Sequence, residues 1–265
     1  MKRFFLLLLP LLASCGGTQT NDPWGNIDPD KAARQAKVVE LSMRSTSMNR
    51  TMTYTVWLPA QYDEKNTYPF LYLLHGYEYG DQSRLDRCWL DKGNAAKLAE
   101  DYQKAGGVAM VIVMPNGLDK FYMNDGYETY FEQELMAEVE TRYHCNGKRA
   151  IAGLSMGGFG TLYHSLKYPS KFKYAYAMSP AAKMWGTDPK DFIGLQKDKS
   201  VFPSFTIEVG TEDMTVNNND SKVLYNAMVK EGLQCEWIER AGTHDWPFWM
   251  GCLPKALIKA GDSFK

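Results

Sequence analysis

One alternation limits what this chain can fold into more than any other feature. Continuous apolar runs of strand length trade places with segments of helical spacing over most of the sequence. The runs are YPFLYLLHG (68–76), VAMVIVMPNG (108–117), KRAIAGLS (148–155), FKYAYAMSPAA (172–182) and SFTIEVGTED (204–213). A short apolar run bounded by proline or glycine suits a strand covered on both faces, because neither side of it meets water. Between and after the runs fall NAAKLAEDYQKAGG, YETYFEQELMAEVETRY, GGFGTLYHSLKYP and SKVLYNAMVKEG, all with helical periodicity, then a strand in QCEWIERAG and a terminal helix in WPFWMGCLPKALIKA. Ahead of them KVVELSM and MTYTVWLPA read as an antiparallel opening that turns through RSTSMNR. The pattern predicts the α/β class: a mostly parallel twisted sheet with helices on both faces, in a single domain. The irregular stretch 181–203 is expected over the sheet edge, where a substrate would rest.

Charge removes one class of function. Thirty basic against 31 acidic residues leave a net charge of −1, and there is no Lys/Arg stripe, so nothing draws the chain to nucleic acid. The start, MKRFFLLLLPLLASCGG, has Lys2 and Arg3, an apolar run from Phe4 to Leu12, and small residues before Cys15. That run is too short for a bilayer span and reads as a signal segment. Leu12-Ala13-Ser14-Cys15 resembles a bacterial lipobox, whose cysteine becomes the lipidated first residue. Residues 1–15 are therefore expected to be a lipoprotein signal, 16–35 a flexible tether, and 36–265 the folded domain. The lipid would hold the domain to a membrane surface outside the cytoplasm. Export permits disulfides, but a core of this size needs none, so Cys88, Cys145, Cys235 and Cys252 are expected to include buried free thiols.

Chemistry concentrates at AIAGLSMGGFGTL (150–162). Gly153-Leu154-Ser155-Met156-Gly157 fits G-x-S-x-G and stands between a buried strand and a helix, the setting of a sharp turn that exposes a serine hydroxyl. The bland alternative is a glycine-rich turn with a structural serine. A serine needs a base, and the chain has four histidines. His164 lies about two turns along the helix from Ser155, too far to reach it, and His144 precedes the strand at the opposite end of the sheet. His244, in RAGTHDWPFW after the last strand, is the expected base. The orienting acid should follow a strand between Ser155 and His244. Glu212 and Asp213 both qualify; Asp213 is preferred and Glu212 is the fallback. Asp245 should point away from its neighbour His244, and Asp220 should cap the helix that follows. The amides of Met156, at a helix start, and of Tyr77, in LLHGYEYGD, would form the oxyanion site. No ligand cluster for a metal is present, and this chemistry needs no cofactor.

Taken together, YLLHGYEYGD, GLSMGGFGTL, VGTED and HDWPFW resemble the esterase D family of α/β-hydrolases, which takes in feruloyl esterases, acetyl-xylan esterases of carbohydrate esterase family 1, S-formylglutathione hydrolases and mycolyl transferases. The likeness runs from about Val38 to the end. It implies Ser155 as nucleophile, Asp213 as acid, His244 as base, and Tyr77 and Met156 as oxyanion donors. The departure is RLDRCW (84–89), which is more charged than the family implies near the site. An exported member of this kind is expected to be a serine carboxylesterase releasing feruloyl or acetyl groups from plant polysaccharides or oligosaccharides. Its rivals are an enterochelin-type or general short-acyl esterase, an acyltransferase, and a catalytically silent glycan-binding lipoprotein. Trp185, Trp246 and Tyr122 are expected to offer flat surfaces to the substrate. Trp249 is expected in the core, and His75 is expected to shape its loop and to stand where substrate could touch it.

Overall fold

The computed structural model describes residues 35–265. The signal segment, Cys15 and the tether up to residue 34 lie outside the described residues. Eight strands form one sheet in the order β1-β2-β4-β3-β5-β6-β7-β8. They are β1 (Lys37–Ser45), β2 (Arg50–Leu58), β3 (Tyr68–Leu74), β4 (Val111–Pro115), β5 (Cys145–Leu154), β6 (Tyr174–Met178), β7 (Ser204–Gly210) and β8 (Cys235–Arg240). β2 runs antiparallel to both β1 and β4, and every other pairing is parallel. This is the α/β-hydrolase arrangement, and the antiparallel opening lies where the sequence puts it.

Five principal helices cover the sheet. α1 is Ala95–Lys104, α2 runs as Tyr127–Thr129, a π-helical stretch Tyr130–Leu135 and then Met136–Arg142, α3 is Met156–Lys167, α4 is Asn218–Lys230 and α5 is Trp246–Ser263. Alternation along each strand divides the core in two. Phe70, Tyr72, Ile151, Ala175, Ala177, Phe205 and Ile207 join α2, α3 and α4 on one face. Leu71, Leu73, Ala150, Ala152, Tyr174 and Tyr176 join α1 and α5 on the other. α3 lies deepest, with Phe159, Leu162 and Leu166 wholly buried, so truncating any of them to alanine costs about 2–5 kcal/mol. The small side chains of Ala175 and Ala177 beneath it let the helix sit close to the sheet.

One local expectation changes, and others hold. Asn217, not Asp220, caps α4, accepting from the Asn219 amide, while Asp220 sits in the first turn and pairs with Lys183 at 3.3 Å. The 181–203 stretch holds two 3-10 turns, Pro189–Leu195 and Lys199–Val201. The charges of RLDRCW turn to β1 and β2: Arg84 and Arg87 pair with Glu40, and buried Asp86 accepts from Thr53 at 2.8 Å and Thr55 at 2.7 Å. All four cysteines among the described residues are free thiols, two of them buried.

Candidate active site

Ser155 stands between β5 and α3 at φ +52°, ψ −112°, a conformation that a side-chain-bearing residue adopts only when its surroundings hold it there. Three backbone bonds do so. The Ser155 amide donates to Met178 at 2.9 Å, and its carbonyl accepts from Phe159 at 3.0 Å and Ala181 at 3.2 Å. The turn is tight enough to exclude a side chain at Gly157, whose Cβ would come within 2.4 Å of the Leu74 carbonyl and 2.5 Å of that of His75. The sequence therefore builds the elbow from a strand that ends, a strained serine, and a glycine that lets the next helix abut β3.

The acid and imidazole come from the ends of β7 and β8, and their loops are zipped together. Thr211 donates to the Arg240 carbonyl at 2.9 Å and Glu212 to that of Gly242 at 3.0 Å, continuing the ladder past the strands. Gly210 permits this closeness, since a Cβ there would meet the Gly242 carbonyl at 2.3 Å. As a result Asp213 turns inward and Glu212 outward to solvent. The Asp213 carboxylate is 2.7 Å from His244 Nδ1, and His244 Nε2 is 2.8 Å from Ser155 Oγ. A carboxylate only accepts, so the ring proton belongs on Nδ1 and Nε2 is left to accept from the serine hydroxyl. Burial pushes the Asp213 carboxyl up, but the His244 bond and the Thr215 and Val216 amides outweigh it and hold the group below the usual aspartate range. Asp245 turns away as α5's cap, accepting from Phe248 at 3.0 Å.

Two backbone amides near the elbow are left without a partner among the described residues. Met156 opens α3, so its amide has no acceptor within the helix. The chain leading to Tyr77 passes so close to the elbow that a Cβ on Gly76 would lie 3.5 Å from that of Ser155. The Tyr77 amide has no acceptor among the described residues. Such an array can take a proton from a hydroxyl, hold an imidazolium against a carboxylate, and receive negative charge on an oxygen.

Four expected substrate contacts fare differently. His75 is 1% exposed, with Nδ1 2.6 Å from the Gly76 carbonyl and Nε2 accepting the Gly117 amide at 2.7 Å. It shapes the loop and does not reach substrate. Tyr122 is wholly buried, its hydroxyl donating to the His75 carbonyl at 3.0 Å; it too is corrected from surface to core. Trp246 is half-buried, edge-to-face with Trp89 at 5.4 Å and Trp249 at 5.5 Å, and it is buried Trp249 that touches the His244 ring, at 4.9 Å. Trp185 is 57% exposed and lies edge-to-face on Phe121 at 4.7 Å, which in turn neighbours Tyr77 at 6.4 Å. Trp249 lies in the core as expected, whereas Phe121 was not singled out by the sequence, because nothing in local spacing tells a ring lining a site from one filling a core.

The other histidines have other tasks. His164 is buried in α3, held by Glu132 at 2.7 Å and the Tyr122 carbonyl at 2.9 Å. His144 is exposed at the start of β5, where its carbonyl accepts from Tyr68.

Comparison with known proteins agrees with this architecture. The family model described as "Putative esterase" matches residues 45–260. An acetyl esterase of Caldicellulosiruptor saccharolyticus is 27% identical over 264 residues, covering 80% of this chain and 93% of its own. An endo-1,4-beta-xylanase/feruloyl esterase of Xylanibacter ruminicola is 25% identical, covering 85% of this chain and 31% of that longer protein. The solved structure of a ferulic acid esterase superposes with a TM-score of 0.77 at 26% identity, covering 87% of this chain and 99% of the other. The chain belongs to this esterase family, as a serine esterase of the α/β-hydrolase fold.

Proposed function

We propose that the protein hydrolyses feruloyl or acetyl esters of plant polysaccharides or oligosaccharides through an acyl-enzyme. Ser155 Oγ attacks the ester carbonyl carbon as His244 Nε2 takes its proton, and Asp213 steadies the imidazolium so formed. The Tyr77 and Met156 amides receive the oxyanion. Collapse breaks the bond to the sugar oxygen, which leaves with the proton from His244, and water repeats the sequence to free the acid. The observation that carries this reading is the continuous line from Asp213 through His244 to Ser155, with bonds of 2.7 Å and 2.8 Å.

Two things support the substrate class. Relatives named as acetyl and feruloyl esterases share the chain's length or its domain. The rim beside Tyr77 also carries the exposed ring of Trp185 on Phe121, a surface suited to an aromatic acyl group or a sugar face. Export and anchoring through a lipid on Cys15 belong to the same reading.

Turnover of methyl ferulate and of acetylated xylan tests it. Ser155→Ala should remove activity on both while the protein stays folded. Asp213→Asn should lower kcat by roughly four orders of magnitude, and Glu212→Gln should leave it near that of the parent. An active Ser155→Ala protein would remove Ser155 as the nucleophile, and no burst or turnover of p-nitrophenyl acetate by the parent would point to a silent binder instead.

A further inference from the structure

The turn after β4, Asn116–Asp125, carries an unusual share of strain. Leu118, Asp119, Phe121 and Tyr122 all have left-handed backbones, with φ of +47°, +51°, +50° and +58°, where β-carbon sterics disfavour every residue but glycine. Strain of about 1–3 kcal/mol for each such residue persists only where the surroundings over-determine it. The contacts show what this turn touches. Tyr122 lies against α3, so closely that a Cβ on Gly160 would come within 2.7 Å of its ring. Its hydroxyl donates to the His75 carbonyl at 3.0 Å. Asp119, only 8% exposed, accepts the Glu78 amide at 3.0 Å and the Gln82 side-chain amide at 2.7 Å. The Gly117 amide donates to His75 Nε2, which leaves the Nδ1 proton for the Gly76 carbonyl.

Three consecutive peptide planes are thereby fixed. Tyr122 holds the plane joining His75 to Gly76, the His75 ring holds the plane joining Gly76 to Tyr77, and Asp119 holds the plane joining Tyr77 to Glu78. In a trans peptide the carbonyl and the N–H point opposite ways, so securing the Gly76 carbonyl aims the Tyr77 N–H. Catalytic donors act through being aimed before the reaction, not through binding substrate more tightly.

We propose that Tyr122 and Asp119 are positioning residues of the oxyanion site: the strained turn bearing them clamps the peptide on each side of the Tyr77 amide and fixes where its N–H points. The inference rests on the reading of Ser155 as nucleophile and Tyr77 as oxyanion donor.

Steady-state and burst kinetics on p-nitrophenyl acetate, corrected for active fraction by burst amplitude, test it with four variants. Tyr122→Phe keeps the ring and removes only the hydroxyl. It should lower the acylation rate and kcat about 10-fold with KM within about twofold, as a small misplacement of a catalytic group does. Asp119→Ala should lower them by about 10- to 100-fold in the same pattern, bounded by the full loss of one donor. Tyr174→Phe is the control for stability alone: Tyr174 is also buried, and its hydroxyl shares a hydrogen bond with Thr206 Oγ1 at 2.7 Å, at the start of β6 and away from the Tyr77 peptide. It should lose similar thermal stability and keep its kcat. The inference is overturned if Tyr122→Phe retains the parent kcat while Ser155→Ala is inactive, or if Tyr174→Phe loses as much kcat as Tyr122→Phe. A Ser155→Ala protein that still turns over would instead remove the reading beneath it.

Discussion

Single residues at this site are distinguished by which side of the loop they face. Asp213 and Glu212 are adjacent in sequence and chemically alike, yet one is buried against His244 and the other meets solvent. His75 stands beside the Gly76–Tyr77 turn as a neutral ring, since burial takes it from 6.5 to about 4, partly opposed by the Gly76 carbonyl. The sign of its effect on stability follows. In the unfolded chain His75 takes up a proton near pH 6.5, while in the folded protein it does not until about pH 4. Its contribution is therefore complete above pH 6.5 and is lost as pH falls toward 4, with a slope of up to about 1.4 kcal/mol per pH unit. Denaturant unfolding at pH 7, 5.5 and 4 should show this decline, and His75→Asn should flatten it. An equal slope in the variant would locate the decline elsewhere.

Among the elements, β7, β8 and α5 do the most to deliver His244. Glu208 on β7 is wholly buried and anchors them: it accepts from Arg240 of β8 at 2.5 Å and also from Tyr176 and from Lys255 of α5. Burial pushes its carboxyl up, but Lys255, Tyr176 and Arg240 together hold it below the usual glutamate range. Arg240 continues the link, donating to the Phe248 carbonyl at 2.7 Å and covering the Phe248 ring. Breaking a buried pair from one side typically costs about 3–5 kcal/mol, but Arg240 and Lys255 keep about a third of their surface in water and can be rehydrated. Glu208→Gln should therefore lower unfolding stability by about 2 kcal/mol, read as a shift in the urea midpoint at constant slope. A midpoint unchanged within error would mean that the hydrophobic face of α5 alone holds the helix.

At the scale of the whole molecule, the proposed lipid on Cys15 would hold a domain that has no membrane-crossing helix among its described residues. Expressed in a bacterial host, the parent should fractionate with membranes and Cys15→Ala should move to the soluble fraction; membrane association unaltered by the change would remove the anchor from the proposal. The fold was legible because both of its signals are local. Apolar runs such as 108–117, short and rich in β-branched residues, read as buried strands, and G-x-S-x-G between a strand and a helix specifies its own turn. For the same reason Ser155, His244 and Asp213 could be picked out by residue type, chain order and position at strand ends. Tyr122 and Phe121 could not be sorted that way, because an aromatic ring has the same sequence signature whether it faces a substrate or a packed interior. Which face it takes depends on contacts between segments distant along the chain, such as Tyr122 with His75 and Trp249 with His244. The sequence alone thus determined the strand and helix order and the chemistry available. Only tertiary packing decided which rings reach solvent and how the Tyr77 peptide is aimed, since burial and hydrogen-bond geometry exist only once those segments meet.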